Sequence, residues 1–260
     1  MIGRFFSQAW LNAKVQQGGF NITQFLVYKV GISIMTLMLY VLIAQFTTGE
    51  LDLTSWVVGN AFVLCVMECI FGVGRTFNEE RFHGRLRSII VSPTSKLTVI
   101  MYNGVSSVLI ASVTISAAFV IGGLIFGVQF SEINTGMFLL AIITAAFACV
   151  GLGMMLAVFA LITDSMHLVL NALAMIIMIF SGANFPVSQL PAFAQWLANA
   201  FPLFRSIQAA NISFGDQISD GFWQLLLGEI VLGLMYYLLA FILIKIVERI
   251  AIKKATLELF

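Results

Sequence analysis

The sequence predicts an all-α integral membrane protein with six transmembrane helices, and three observations lead there. Hydrophobic residues make up 60% of the 260 positions and charged residues 10%, against about 45–50% and about 25% in a soluble domain; mean hydropathy is +1.02. Apolar windows of about twenty residues recur with at most one charge each, long enough to cross roughly 30 Å of hydrocarbon as helices. Finally, lysine and arginine cluster on one side of the topology those windows define. Strand-like alternation is missing, which argues against a β-barrel, and none of the four prolines interrupts a long apolar run.

Residues 1–20 are predicted to form an amphipathic interfacial helix. Phe5, Phe6, Trp10 and Leu11 share a face, with Arg4, Gln8 and Lys14 elsewhere, a pattern that suits a helix lying in the membrane interface. No clean apolar core precedes a small-residue cleavage site, so no removable signal is expected. Residues 21–260 then form the six-span domain. Span one covers about 25–46, with Lys29 placed to snorkel; span two covers about 55–73 and carries Glu68. A charged stretch follows, and span three at about 97–126 is long enough to tilt. Spans four and five cover about 135–162 and 166–183, and span six about 222–247, before a basic tail.

Between spans five and six, residues 184–221 hold Pro186, Pro191 and Pro202 yet keep Phe185, Leu190, Phe193, Trp196 and Phe201. The segment is too broken for a span and too apolar for a free loop. It is expected to form two short helices re-entering the interface or outer leaflet, with Phe185, Pro186, Pro191, Trp196 and Pro202 as a cap.

Orientation follows from charge. With the N-terminus inside, every lysine and arginine except Arg205, of 13 in total, lies in an inner segment. Both termini are therefore expected in the cytoplasm of a cell-membrane protein.

The most informative inner stretch runs from Asn78-Glu79-Glu80-Arg81-Phe82-His83-Gly84-Arg85-Leu86-Arg87 to Ser92-Pro93. Phe82, Leu86, Ile89 and Ile90 recur at helical spacing, and Ser92-Pro93 stops the helix. A short amphipathic helix over about 76–92 suits docking onto a cytoplasmic partner; a solvated loop with snorkelling arginines is the plainer alternative. Here the sequence resembles the ATP-binding-cassette type-2 export permeases. Glu80-Arg81, Gly84, Leu86 and Ser92-Pro93 are similar to that family's pattern in this loop. About 100 residues on, Phe180-Ser181-Gly182, Phe185-Pro186, Leu190-Pro191 and Phe201-Pro202-Leu203 are similar to its second pattern. Arg85 and Arg87 flank Leu86 where the family often has threonine and glutamate, which leaves this surface more basic.

The resemblance implies a permease that pairs with a second permease chain, identical or not, and binds two cytoplasmic ATPase subunits. Glu79, Glu80, Arg81, Phe82, Gly84, Arg85, Leu86 and Arg87 would seat in the ATPase as a coupling helix. ATP and Mg would belong to those subunits, with no cofactor on this chain; the sequence holds no G-x-x-x-x-G-K-[ST] phosphate loop. The expected function is export of a hydrophobic or amphipathic substrate by alternating access, the alternative cargo being a polysaccharide or lipid-linked glycan.

Polar residues inside the spans are the candidate substrate pathway. Asn60 and Glu68 are eight apart and share a helix face, and an intramembrane acid is a functional candidate. Asn171, Met175, Met178 and Phe180 on span five complete the set, interhelical hydrogen bonding and packing being their alternative roles. Glu229, about two turns into span six, is placed to hydrogen-bond the short-helix segment. Gly123 and Gly127 are spaced for close helix approach. Cys65, Cys69 and Cys149 match no zinc spacing and read as packing residues. No metal site, nucleic-acid surface or catalytic cluster is expected, which weighs against a membrane-embedded enzyme. An ion-driven secondary transporter would show internal repeats and broken helices, and neither is evident.

Overall fold

The computed structural model describes residues 23, 26–49, 52–82, 84, 96–128, 130, 133–160, 163, 165–214 and 220–254. All regular structure among them is helical. The interfacial helix expected over 1–20 lies outside the described residues, as do His83 and the stretch from Arg85 to Ser95.

Helix α1 is Ile32–Thr48, entered directly from a π-helical turn, Leu26–Gly31, so the helical run is continuous. It stops at Gly49, whose φ of 67° places it in the left-handed region and returns its N–H to the Gln45 carbonyl; glycine adopts that conformation without a Cβ penalty. Helix α2, Thr54–Gly74, starts where Asp52 accepts the Thr54 backbone N–H at 3.0 Å. The Thr54 hydroxyl and N–H together hold the Asp52 carboxyl below its ordinary range. That cap therefore contributes fully above a pH near 3.8, the ordinary value, and is lost as acid protonates the carboxylate. Six residues of α2, Val66–Phe71, are π-helical.

The chain continues through α3 (Thr76–Phe82), α4 (Lys96–Phe126), α5 (Thr135–Phe159) and α6 (Met166–Phe180). Asn134 caps α5 by accepting the Met137 N–H at 3.2 Å. The proline-rich segment forms a 3₁₀ turn, Val187–Gln189, then α7 (Ala192–Ala198) and α8 (Phe204–Ile212). Helix α9, Asp220–Lys254, closes the described chain. Its 35 residues are about 52 Å long, and the helix runs past the sixth apolar stretch through Arg249 and Lys253 of the basic tail.

Among the described residues, four helices are long and apolar enough to cross a membrane: α2, α4 from Thr98, α5, and α9 over Gly221–Val247. Helices α1 and α6 are apolar but shorter. Helix α5 is the axis of the bundle, packed on α9, α4, α8 and the π-helical part of α2. A helix apolar all round belongs inside, and 72% of the apolar window of α5 is buried against 17% for α9. The side of α9 turned from α5 exposes Leu227, Val231, Leu234 and Leu238, as suits a helix bathed in lipid.

Close approach to this axis depends on small residues. A methyl at Gly153 would stand 2.9 Å from the Cys69 carbonyl and 3.2 Å from the Ile70 Cα, and one at Gly151 2.9 Å from the Gly233 carbonyl. Association in lipid gains little from apolar burial, so such backbone proximity matters more than in water. The expected Gly123–Gly127 pair does something else. Gly123 leaves room for the Phe130 ring, and Gly127 sits at a φ of 75° where α4 ends. The three cysteines are buried and free, with the Cys69 thiol 3.8 Å from the Ser107 carbonyl.

Gly153→Val should destabilise the bundle by about 1–3 kcal/mol, because the obstacle is backbone and cannot swing aside. Gly136→Val, where a Cβ meets only the Asn134 side chain at 3.5 Å, should be nearly neutral. Thermal unfolding of the detergent-solubilised variants measures the difference.

Candidate functional site

The functional candidates fall at three levels of the bundle. At one end, α2 gives way to α3 at Arg75. Thr76 is buried, its hydroxyl donating to the Val73 carbonyl at 2.8 Å and accepting the Asn103 side-chain N–H at 2.9 Å. Phe77 is fully buried. The first turn of α3 is thereby fastened to both α2 and α4. Arg75 and Glu79 form a half-exposed ion pair at 2.9 Å, of modest energetic weight. Phe82, the last residue of α3, is 89% exposed. Glu79, Glu80 and Arg81 thus sit on a short helix with a rigid base; Gly84 follows at a φ of 69°. Arg85, Leu86 and Arg87 lie outside the described residues.

Within the bundle, the pathway candidates separate into two groups. Asn60 and Glu68 are both buried among the helices. The Asn60 amide donates to the Trp56 carbonyl at 3.0 Å while its Oδ1 has no hydrogen-bond partner. Glu68 sits in the π-helical stretch, a geometry frequent at functional positions. Asn171, Met175, Met178 and Phe180 lie on α6 instead. Met175 is 70% exposed and Asn171 donates to the His167 carbonyl at 2.8 Å. Met178 is half-buried, and Phe180 stacks on Phe201 with centroids 5.7 Å apart. Asn60 and Glu68 are thus buried while Asn171 and Met175 are exposed, although α6 packs on the π-helical stretch that carries Glu68.

The far end carries the short helices. Gly59 of α2 meets the turn after α6 backbone to backbone: a methyl there would be 2.8 Å from the Ala183 Cα. Gly182 makes that turn at a φ of 76°. Phe185 and Pro186 border a cavity beside it. Pro191 stands immediately before α7, which buries Ala194 and Ala198 and exposes Phe193 and Trp196. Pro202 is buried.

Helix α8 is held at both ends. Leu203, just before it, is buried with a φ of 85°, a strained conformation for a side chain of that kind. Its N–H donates to Glu229 Oε1 at 2.8 Å. Glu229 is completely buried and its Oε2 has no hydrogen-bond partner. The Glu229 carboxyl lies at the N-terminal end of α8, with Arg205 of the first turn as its neighbour. Gly228 makes room for that arginine, since a methyl there would be 2.9 Å from Arg205 Cδ. The Tyr236 hydroxyl donates to the Ala200 carbonyl. At the other end of α8, the Asn134 N–H donates to the Ser213 carbonyl at 2.9 Å. There Phe214 meets Phe119 and Phe138 edge to face, with centroids 6.1 and 6.3 Å away.

The link expected from Glu229 to the short-helix segment is thus present, and the structure gives it an address at Leu203. Sequence reading missed Arg205 as its companion, although its standing as the single lysine or arginine of residues 184–221 was a usable signal. The Asn103–Thr76 bond, 27 residues apart, had no such signal.

Glu229→Leu should destabilise the chain by about 1–3 kcal/mol, because it strands a buried backbone N–H. Glu229→Gln keeps an acceptor in place and should recover most of that loss. Thermal melting of the two variants side by side tests the bond.

No curated protein matches the chain. The family model for ABC-2 type transporters matches residues 1–215, a stretch that includes the α3 region and the proline-rich segment with α7 and α8. The protein belongs to the ABC-2 type transporter family and is a membrane-embedded permease component of an ABC transporter.

Proposed function

We propose that this chain is the permease subunit of an ATP-driven exporter that moves a hydrophobic or amphipathic molecule out of the cytoplasm or the inner leaflet. The observation that carries the proposal is α3. A short charged helix ending in an exposed Phe82, with its base fastened through Thr76 to Asn103, suits a lever between an ATPase and the spans. A rigid-body push on α3 would pass directly to α2 and α4, the kind of motion that switches packed helices between two arrangements. ATP and Mg act on separate cytoplasmic subunits, two per complex. Only conformational work takes place on this chain.

In this reading six helices cross the bilayer. The helical run from Leu26 to Thr48 supplies the first crossing and α6 the fifth. Both termini and α3 face the cytoplasm, as the lysine and arginine bias requires. Helices α7 and α8 then lie at the outer face, where the exposed Phe193 and Trp196 suit the membrane interface, and the segment serves as a re-entrant cap. A second permease chain packs beside the first. The exposed side of α6, with Asn171 and Met175, then borders a transport path that neither chain forms alone. Flexible, polarisable methionine suits a varied apolar cargo.

Two outcomes test the proposal. Copurification should recover an ATPase subunit whose hydrolysis is vanadate-sensitive. Reversing Glu80 and Arg81 together (E80R with R81E) should abolish coupled transport while the chain still inserts and folds. Normal export by the double variant, or transport by the isolated chain without ATP, overturns the assignment.

A further inference from the structure

The end of the bundle away from α3 holds a cavity of about 820 Å³, within the ~300–1,000 Å³ range of small-ligand sites. It lies between the start of α2, the turn after α6, and helices α7 and α8, all from one chain. Its lining is chemically unusual for this protein. Six of the 21 asparagines and glutamines in the sequence converge there: Asn184, Gln189, Gln195, Asn199, Gln208 and Asn211. Ser55 and Ser188 add hydroxyls, and Trp56, Phe185 and Phe204 add aromatic rings. Among the described residues, no Asp, Glu, Lys, Arg or His lines it.

Two of the amides build the wall. Gln195 donates to the Ser188 and Leu190 carbonyls at 3.1 and 2.8 Å, fastening α7 to the preceding turn. Asn199 donates to the Gln195 carbonyl at 3.1 Å and accepts from Arg205 Nη2 at 3.4 Å. Among the described residues, the side chains of Asn184, Gln189, Gln208 and Asn211 make no hydrogen bond within the protein. Each offers a carbonyl acceptor and two N–H donors, so four amides without an internal partner, three of them exposed and Asn184 half-buried, border one uncharged space.

We infer that this cavity binds a neutral, hydroxyl-rich ligand of the sugar class. A sugar hydroxyl both donates and accepts, as an amide does, so a planar amide can engage two neighbouring hydroxyls at once. The C–H face of the ring packs on an aromatic side chain. The lack of basic residues leaves nothing to hold a phosphate or sulfate, and the lack of acids nothing to hold a cation. A bare acyl chain would strand the amides without partners, at a desolvation cost. The site goes beyond the export reading and does not depend on the direction of transport. A sugar can reach it free or as the headgroup of a glycolipid. Helix α7 turns Gln195 and Asn199 toward the cavity and exposes Phe193 and Trp196 on another side, which would set the cavity at headgroup depth.

The test uses the full chain in phosphatidylcholine nanodiscs. Digalactosyl-diacylglycerol and phosphatidylglycerol are titrated into separate discs and bound lipid is read by native mass spectrometry; maltotriose is titrated in a third arm and followed by saturation-transfer NMR. Retention of the galactolipid over phosphatidylglycerol, or a saturable maltotriose signal, supports the site. The galactolipid alone assigns a headgroup source, and maltotriose binding assigns a free sugar. Q208L with N211L should weaken the binding at least tenfold, Asn211→Asp should weaken it while preserving shape, and Gln224→Leu, outside the cavity, should leave it unchanged. Equal retention of phosphatidylglycerol, failure of both sugars to bind, or wild-type affinity in the double variant overturns the inference.

Discussion

The bond from the Leu203 N–H to the buried Glu229 carboxylate fixes the least regular part of this molecule. A chain packed in apolar surroundings must satisfy its backbone polar groups internally. Long helices do this by themselves. A segment interrupted by Pro186, Pro191 and Pro202 does not, and each break leaves N–H and carbonyl groups without ladder partners. Glu229 supplies an acceptor from a neighbouring helix where the backbone turns through a φ of 85° at Leu203. Helix α8 begins immediately after, and its far end is held by Asn134 and the aromatic knot of Phe119, Phe138 and Phe214. The short helices are therefore part of the bundle's architecture.

The axis itself is built from absence of side chain. Gly151 and Gly153 bring α9 and α2 within backbone reach of α5. The π-helical stretch of α2 sits against Gly153 and carries Glu68. The helix there is wound more loosely where it meets α5 backbone to backbone, and α2 ends just before Arg75, where α3 takes over. A displacement of α3 would thus reach the one part of α2 whose hydrogen-bond register departs from the α-helix.

Both ends of the bundle are polar, in different ways. The α3 end concentrates formal charge, with Arg75, Glu79, Glu80 and Arg81 close together in sequence. The opposite end concentrates amides, and Arg205 there is turned to Asn199 and Glu229. Charge suits a protein partner met in water, where complementary potentials guide docking. Uncharged forks suit a small ligand recognised by hydroxyl geometry. In the proposed orientation the first surface meets the energy source and the second meets what lies outside the membrane.

By itself, the sequence determined the class of the protein. Hydropathy and helix-length arithmetic located each long helix, because a membrane demands an uninterrupted apolar run and tolerates few alternatives. The motifs around Glu80-Arg81 and Phe185-Pro186 pointed to the family, and Glu229 stood out because an acid inside an apolar run requires a partner. Tertiary structure decided the pairings. It chose Leu203 for Glu229 and Asn103 for Thr76, gave Gly153 and not Gly123 the close helix approach, and buried Asn60 while leaving Asn171 exposed. It also gathered six amides of residues 184–211 around one cavity. Each of these depends on which faces of which helices meet. Nearly uniform apolar helices carry little periodicity to encode that, so it is settled by packing, one small residue or one buried hydrogen bond at a time.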